Sequence, residues 1–285
     1  MRYFDLPEEF SGENSKFVIL PVPFEMTTSY GKGAASGPEA ILEASQQVEL
    51  FDEELNSEPY SVGIETHEPL DVSGTHSDVL ARLENAVATL SGMKKIPFVL
   101  GGEHSITPAC VRGVAKHHKD ITVVQIDAHA DLRDEYEGTK LSHACAMARV
   151  REHFPAVQIG IRNLSKEEMA WVERDNLSVF FAHTIRHDEN WIEKVVNAIR
   201  TENAYITIDI DGLDSSLMPA TGTPEPGGMG WYQTTDVLRA ICKKKRVVGF
   251  DMVELAPQPD LHAPDFLVAK LVYKLFGYRL AGSGT

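Results

Sequence analysis

Short apolar runs alternate along the chain with longer segments in which apolar residues recur at helical spacing. The short runs are rich in β-branched residues and end at Gly, Pro or a polar side chain, which is typical of strands buried on both faces of a parallel sheet. Seven strands are predicted in this way: KFVILPVP (16–23), IPFVLGG (96–102), ITVVQID (121–127), VQIGI (157–161), SVFFAH (178–183), YITIDID (205–211) and RVVGFDMVE (246–254).

The longer segments have the periodicity of amphipathic helices, and several open with a Ser, Thr or Asn suited to an N-cap. The clearest are SDVLARLENAVATLSGM (77–93), SKEEMAWVERD (165–175), NWIEKVVNAIR (190–200), TTDVLRAICKKK (234–245) and PDFLVAKLVYKLFG (264–277). Strand alternating with helix indicates βαβ units, which fit either a closed barrel or an open doubly wound sheet. Both architectures place functional sites at the carboxyl ends of the strands.

Length and composition favour a single domain over residues 1–285, because the chain is 43% hydrophobic and no low-complexity tract or repeat divides it. The longest strand-free stretch, residues 211–233, is too long and too rich in Gly and Pro to be a simple connection. We therefore expect this loop to be functional.

The charge balance is acidic, with 27 Lys and Arg against 42 Asp and Glu and a formal net charge of −15. This balance argues against a nucleic-acid or anionic-membrane partner and favours a cationic ligand. Three cysteines without a CxxC pair indicate neither a zinc ribbon nor a disulfide framework. No stretch approaches the ~18 uncharged apolar residues that a membrane span requires, so we expect a cytoplasmic protein.

Potential metal ligands follow three of the predicted strands. In an extended segment, residues i, i+2 and i+4 share a face, so the DxHxD sequence at 127–131 places three ligands together, and DxD at 209–211 places two more. Each piece alone is weak evidence, but their joint occurrence at strand ends strongly favours one site. The predicted ligands are His104, Asp127, His129, Asp131, Asp209 and Asp211.

Two imidazoles and four carboxylates, with no thiolate, suit a hard or borderline ion such as Mn²⁺ better than structural Zn²⁺. Four carboxylates facing a single divalent ion would leave excess negative charge, whereas two ions balance them. Two metals roughly 3.5–4 Å apart can share a water and lower its pKa toward neutrality. The ligand set therefore predicts a two-metal hydrolase.

The motifs resemble those of the ureohydrolases, the arginase and agmatinase family of binuclear manganese enzymes. The resemblance spans nearly the whole chain and rests on VPFEMTTSYGKGAASGPEAILEAS, GGEHS, DAHADLRDEYEG, SHA, DIDGLD, PATGTPEPGG and FDMVELAPQPD. It implies a three-layer αβα fold with a central, mostly parallel sheet of about eight strands, as in arginases and deacetylases. It also implies two Mn²⁺ per subunit and a homotrimer or homohexamer.

The resemblance also assigns roles to single residues. It makes Asp131 and Asp209 bridging ligands, His143 a mobile proton shuttle and Glu254 the carboxylate that orients the substrate guanidinium. Thr223 matches a position near that glutamate and is expected to help hold the substrate. In the implied mechanism a metal-bridging hydroxide attacks the guanidinium carbon, Asp131 steers the hydroxide proton, and His143 helps to protonate the leaving amine.

The substrate prediction depends on the sequence after the DxHxD motif. Arginases carry an Asn two positions beyond it, where this chain has Arg133, so the resemblance favours the agmatinase branch and the conversion of agmatine to putrescine and urea. An acidic patch of Asp134, Glu135 and Glu137 could attract the substrate amine. The alternatives left open are aminopropylagmatine, which needs the same acidic entrance, 4-guanidinobutyrate, whose carboxylate Arg133 could recruit, and arginine.

Three other functional classes fit the sequence less well. A deacetylase-like hydrolase shares the fold but uses a single zinc ion, against which the full set of carboxylates argues. A non-catalytic metal-binding protein would not need His143 and Glu254. A dinucleotide-binding domain is disfavoured because no GxGxxG follows the first predicted strand.

Overall fold

A computed structural model of the protein describes residues 1–282. Its centre is a single eight-stranded sheet in which every neighbouring pair is parallel, in the order β2-β1-β3-β8-β7-β4-β5-β6. The strands are β1 (Phe17–Val22), β2 (Ile64–Thr66), β3 (Ile96–Gly101), β4 (Ile121–Ile126), β5 (Ala156–Ile161), β6 (Ser178–Phe181), β7 (Asn203–Asp209) and β8 (Arg246–Val253).

Helices cover both faces of the sheet. They are α1 (Glu8–Ser11), α2 (Gly37–Ser45), α3 (His76–Gly92), α4 (Thr107–Ala115), α5 (Ala146–Arg151), α6 (Lys166–Arg174), α7 (Ala182–Ile185), α8 (Trp191–Ala198), α9 (Trp231–Lys244) and α10 (His262–Ala281). One buried apolar cluster joins the sheet to α2, α8, α9 and α10, and a second joins its other face to α3, α4, α5 and α6. The predicted three-layer αβα fold is thus confirmed, and the open sheet excludes the closed barrel.

Successive residues of a strand point to opposite faces, which explains how one short apolar run contributes to both clusters. In β3, Phe98 and Leu100 face the first cluster, whereas Val99 faces the second. Phe98 stacks on Phe250 of β8, with ring centroids 5.1 Å apart. Burying each such ring contributes roughly 1.5–3 kcal/mol, so the middle of the sheet is held by packing on both sides.

All seven predicted strands and five predicted helices are present. The sequence pattern misses β2, which has three residues, and the shorter helices α1, α2, α4, α5 and α7. Within residues 1–282, no helix is both long and apolar enough to cross a membrane.

The strand order brings the predicted ligands together. β3, β8, β7 and β4 are consecutive in the middle of the sheet, and their carboxyl ends therefore meet at one edge. Asp209 ends β7, the other five predicted metal ligands lie in the segments that follow β3, β4 and β7, and Glu254 follows β8. The site lies at the carboxyl edge of an open α/β sheet, where ligands bind as a rule.

Candidate metal centre

His104 begins a short 3₁₀ turn after β3 and is almost completely buried. The chain reaches this position through Gly102, where a Cβ atom would lie only 2.0 Å from the carbonyl oxygen of Phe24. Only glycine allows this approach. Three carboxylate oxygens surround the His104 Nδ1 atom, at 3.1 Å from Asp127, 3.2 Å from Asp131 and 3.4 Å from Asp209.

The other ring nitrogen of His104 fixes the tautomer. Nε2 lies 2.9 Å from the Oγ1 atom of Thr207, and the Thr207 hydroxyl donates to Asp251 at 2.5 Å. Since that hydrogen is committed to Asp251, Thr207 accepts from an Nε2–H group, and Nδ1 is left with its lone pair. Nδ1 is buried and makes no well-formed hydrogen bond. A buried lone pair facing three carboxylates fits a metal ion between them.

A second group of ligands forms around His129. Its Nδ1 atom lies 2.9 Å from Asp211 and 3.6 Å from Asp127. Asp211 is held by the backbone N–H of Ala128, which donates to its Oδ1 atom at 2.9 Å. The Nε2 atom of Gln125 donates to Asp127 at 2.6 Å. The ligand side chains are thus positioned by hydrogen bonds before any ion binds.

The two groups share one carboxylate. One metal ion could be held by His104, Asp127 and Asp209, and a second ion by Asp127, His129 and Asp211. The ligand atoms of each group lie within 4.8 Å of one another. Asp127 faces both histidines, since its Oδ2 atom approaches His104 and its Oδ1 atom approaches His129. Asp131 approaches His104. Asp127 is the carboxylate common to both groups, and the bridging roles expected of Asp131 and Asp209 stay predictions.

The buried carboxylates of the site would be stabilised by bound cations. Burial, reinforced by Asp211 and Asp127, raises the pKa of Asp209 well above its usual range, and burial also raises the pKa of Asp131 and Asp211. Despite burial, Asp127 and Asp211 raise the pKa of His129 to about 12. Without metal the site therefore holds protons to limit repulsion among its carboxylates. Two adjacent divalent ions fit this donor set and would displace those protons.

Glu254 lies beside the ligands in a left-handed backbone conformation, with φ of 68°. Its Oε1 atom accepts the backbone N–H of His104 at 2.7 Å, which ties it to the ligand segment. Burial raises the pKa of Glu254 to about 8, and Glu103 and Asp211 add to the effect. Such a carboxylate gains strongly from a cationic partner. Asp131 also has a positive φ, 51°, and backbone strain of this kind clusters at functional sites.

His143 follows a loop after β4 and is held by the segment after β1. Its backbone N–H donates to Thr27 Oγ1 at 3.0 Å, and its Nδ1 atom lies 3.3 Å from the same oxygen. The Thr27 hydroxyl donates to the buried Glu103 at 2.7 Å. Thr27 can then only accept from His143, which favours the tautomer with hydrogen on Nδ1. The Nε2 atom then faces the Ser29 hydroxyl, 3.4 Å away, which also lines the cavity.

A cavity of about 200 Å³ opens above these groups. It brings His143, Thr223 and Glu254 together with four of the six predicted ligands, while His104 and Asp127 lie beneath. No hydrogen bond joins Thr223 to Glu254 in the described part of the chain. The cavity lining consists of Thr28, Ser29, Tyr30, Gly31, His129, Asp131, Arg133, Tyr136, His143, Ala144, Asn163, Asp209, Asp211, Gly222, Thr223 and Glu254.

The expected acidic entrance is not where the sequence placed it. Arg133 and Tyr136 line the cavity, but the patch of Asp134, Glu135 and Glu137 does not. Asp134 is paired with Arg149 and Lys140. The Arg133 guanidinium lies over the Tyr136 ring, 5.1 Å from its centroid, so it is partly engaged already.

Several supporting residues escape the sequence analysis. Gln125, Thr207 and Asp251 are polar residues inside apolar strands, and that inward placement is the signal that could have revealed them. Arg162 follows β5 and donates to the carbonyl oxygens of Asp211 and Glu225, at 2.6 and 2.8 Å. It thereby fixes the long loop predicted to be functional. No pattern in the sequence indicates this contact.

Comparisons with known proteins agree with this geometry. The arginase family model matches residues 15–277. The chain is 42% identical over 269 residues to the N(1)-aminopropylagmatine ureohydrolase of Synechocystis, covering 92% of this chain and 88% of the relative. It is 38% identical over 270 residues to the Thermus thermophilus protein of the same name, covering 94% and 91%.

Among solved structures, the agmatine ureohydrolase of Thermoplasma volcanium superimposes with a TM-score of 0.89 and 30% identity, covering 99% of this chain and 95% of that one. The family match and the relatives extend over the segments that supply the paired ligand groups, the cavity and the long loop. The chain belongs to the arginase family and is a ureohydrolase, a hydrolase acting on guanidino groups.

Proposed function

We propose that the protein hydrolyses the guanidino group of N(1)-aminopropylagmatine, releasing urea and spermidine. The observation that carries this proposal is the 42% identity, over most of both chains, to a relative named for that substrate. The second relative, at 38% identity, carries the same name. The sequence motifs favoured agmatine and left aminopropylagmatine as an alternative, and the named relatives favour that alternative. The acidic patch expected to attract the substrate amine does not line the cavity.

The proposed cofactor is a pair of Mn²⁺ ions. The donor set of two imidazoles and four carboxylates supports it, because oxygen-rich sites without thiolate suit Mn²⁺. His104, Asp127, Asp131 and Asp209 would hold one ion, and His129 and Asp211 would complete the second with shared carboxylates. When bound, the pair supplies Lewis-acid activation of water at neutral pH.

The remaining groups bind and orient the substrate. Burial raises the pKa of Glu254, so a guanidinium beside it would restore the ionised form and form charge-assisted hydrogen bonds. The bond from the His104 backbone to Oε1 fixes the carboxylate relative to the ligands. His143, with Nε2 toward the cavity, would deliver a proton to the leaving amine. Asp131 is close enough to the same space to steer a water proton.

The entrance of the cavity suits a long cationic tail. Glu225 accepts a hydrogen bond from the side chain of Asn163, which lines the cavity, and Glu25 accepts one from Thr28 at 3.0 Å. Both carboxylates lie one contact behind the lining. They contribute negative potential beyond the metal ligands, where the additional amines of aminopropylagmatine would lie. Arg133 is held over Tyr136, which disfavours recruitment of a substrate carboxylate.

Agmatine is the second candidate substrate, supported by the similarity to the Thermoplasma volcanium structure. It lacks the aminopropyl group but carries the same guanidinium and a terminal amine. The two candidates share the metal centre and Glu254, and they differ only in what reaches the entrance. Discrimination between them therefore tests the entrance and leaves the chemistry unchanged.

Urea release from the Mn²⁺-loaded protein tests the proposal. The panel consists of N(1)-aminopropylagmatine, agmatine, arginine, 4-guanidinobutyrate and guanidinopropionate, with chelated protein and Glu254→Gln as controls. We expect the highest kcat/KM with aminopropylagmatine and no turnover in either control. Absence of urea from every compound overturns the proposed function. Activity with an acetylated lysine, together with one tightly bound zinc ion, would favour a deacetylase-like hydrolase instead.

A further inference from the structure

A second cavity lies at the opposite edge of the sheet, where the strands begin. It has a volume of about 490 Å³ and is lined by Lys and Arg residues from four segments of the chain and by His117 and His118 from a fifth. Lys16 precedes β1, Lys94 and Lys95 precede β3, Arg246 begins β8, and Arg279 lies in the last turn of α10. β3 and β8 run from this cavity to the metal centre, a separation of roughly 20 Å for six strand residues.

Three of these cations lack a carboxylate partner. Within residues 1–282, no ion pair and no side-chain hydrogen bond involves Lys16, Lys94 or Arg246. Lys95 is engaged, because its ammonium donates to the carbonyl oxygen of Ser15 at 2.6 Å and lies 3.7 Å from Glu65. The chain has a net charge of −15, yet this cavity gathers three cations for which the described residues supply no carboxylate.

A buried hydroxyl in the same cavity also lacks a partner. Ser91, at the end of α3, is 3% exposed, and its Oγ atom forms no hydrogen bond. Ser91 contributes to the cavity lining. Buried polar groups are nearly always satisfied, so this hydroxyl needs an acceptor. Its oxygen is itself inaccessible to solvent, so it meets a ligand oxygen only if the lining shifts, and the cations carry the argument.

The cations repel one another. Burial and the nearby Arg279 lower the pKa of Lys16. Burial lowers the pKa of His118, which also lines the cavity, and Arg246, His117 and Arg279 lower it further. An anion bound between these groups would relieve that repulsion, as opposite charges favour the charged forms.

We propose that this basic cavity binds a small anion with two or more linked phosphate groups, such as pyrophosphate or the phosphate chain of a nucleotide. Several cations on separate segments match a ligand whose charge extends over more than one group, and a cavity of about 490 Å³ is roomier than a single phosphate requires. Arg246 can form paired hydrogen bonds to phosphate oxygens, while Lys16 and Lys94 act as point charges.

Isothermal titration calorimetry on the Mn²⁺-loaded protein tests the proposed anion binding. The probes are pyrophosphate, ATP and orthophosphate, and the ionic strength is held constant. The test variant is Lys94→Ala with Arg246→Gln. The matched control is Lys243→Ala with Lys244→Ala, which removes the same charge from exposed residues of the adjoining helix end that do not line the cavity. Any withdrawal of metal by a probe is common to all three proteins, because each has an intact metal centre.

We expect pyrophosphate or ATP to bind with a Kd below about 1 mM, and the test variant to lose roughly tenfold or more in affinity while the control stays within about twofold. Equal affinity for pyrophosphate and ATP would show that the cavity recognises the phosphate chain. A preference for ATP would show that it also binds the nucleoside. Weaker binding of every probe than this limit, or equal losses in test and control variants, overturns the proposal. The readout is independent of urea release, so the failure of one proposal leaves the other standing.

Discussion

The imidazole of His104 and the hydroxyl of Thr207 meet at 2.9 Å beneath the metal centre, and the Thr207 hydrogen is directed to the buried Asp251. This arrangement decides which ring nitrogen of His104 is available as a ligand. Histidine ligands in metal sites commonly depend on such partners, whose loss costs roughly 10–100-fold in metal affinity or activity. Thr207 therefore positions a metal ligand, although it lies inside an apolar strand and its role is inconspicuous in the sequence.

Thr207→Val tests this relationship, because valine keeps the shape of threonine and removes the hydroxyl. We expect Mn²⁺ affinity to fall roughly 10–100-fold, with Thr207→Ser restoring most of it. Metal titration of chelated protein provides the measurement. Equal affinity in the valine variant and the native protein would remove Thr207 from the account.

Asp211→Asn tests the second ligand group. The amide can still accept the Ala128 N–H through its oxygen, but it lacks the charge that faces His129. We expect the metal content to fall from two ions per chain toward one, with nearly complete loss of urea release. Elemental analysis after dialysis gives the stoichiometry. Asp188→Asn, at an exposed ion pair with Lys194, serves as the control, and two retained ions in Asp211→Asn would contradict the assignment.

His143→Ala is expected to keep both metal ions and to lose activity. The side chain lines the cavity without approaching the ligand groups, so its removal leaves them intact. Loss of a positioned proton donor lowers kcat by about 10²–10⁴-fold. Steady-state urea release across pH, with metal content measured in parallel, distinguishes the two effects. Full activity at every pH would exclude a role in proton transfer.

The metal-free protein should lose stability as pH rises from about 5 to about 8. Burial raises the pKa of Glu254 from 4.5 to about 8, and between these values the folded chain holds more protons than the unfolded chain. Stability then falls with rising pH. The raised pKa of His129 acts in the same direction above its ordinary value of 6.5.

Thermal unfolding in chelator and in Mn²⁺ measures this effect. We expect the Tm of the chelated protein to decline across the interval, and the stabilisation by Mn²⁺ to grow because metal replaces the bound protons. A Tm that is constant or rises with pH in chelator is the opposite outcome. It would mean that folding does not raise the pKa of Glu254 and His129.

Glu225→Gln tests the proposed entrance. Removing this charge should raise KM for aminopropylagmatine by severalfold, on the order of 1 kcal/mol for a partly exposed charge, and affect agmatine less. The Asn163 contact can persist because glutamine retains a carbonyl acceptor. Glu135→Gln, in the acidic patch outside the cavity, is the matched control. Equal effects of the two variants would place tail recognition elsewhere.

Much of the site could be predicted because parallel strands bring their carboxyl ends to one edge. Asp127, His129 and Asp131 are readable from their spacing, since alternate residues share a face. The sharing of Asp127 between the two ligand groups was not readable, because it depends on how β4 and β7 pair in the sheet. Chain order alone does not give that pairing.

Other features depend on contacts between distant segments. Thr27 and Glu103 lie in different loops, yet their hydrogen bond directs Thr27 toward His143. The acidic sequence after Asp131 suggested an entrance, but Asp134 is instead neutralised by Arg149 from α5. Composition records which charges are present. Only the packed structure determines which of them face a ligand.

Direct competition between two substrates tests the central claim most sharply. The Mn²⁺-loaded protein is given equal concentrations of N(1)-aminopropylagmatine and agmatine, and the initial amounts of spermidine and putrescine are measured by mass spectrometry. Their ratio equals the ratio of the two kcat/KM values. We expect spermidine to exceed putrescine by about tenfold or more, and an excess of putrescine would contradict the proposed substrate.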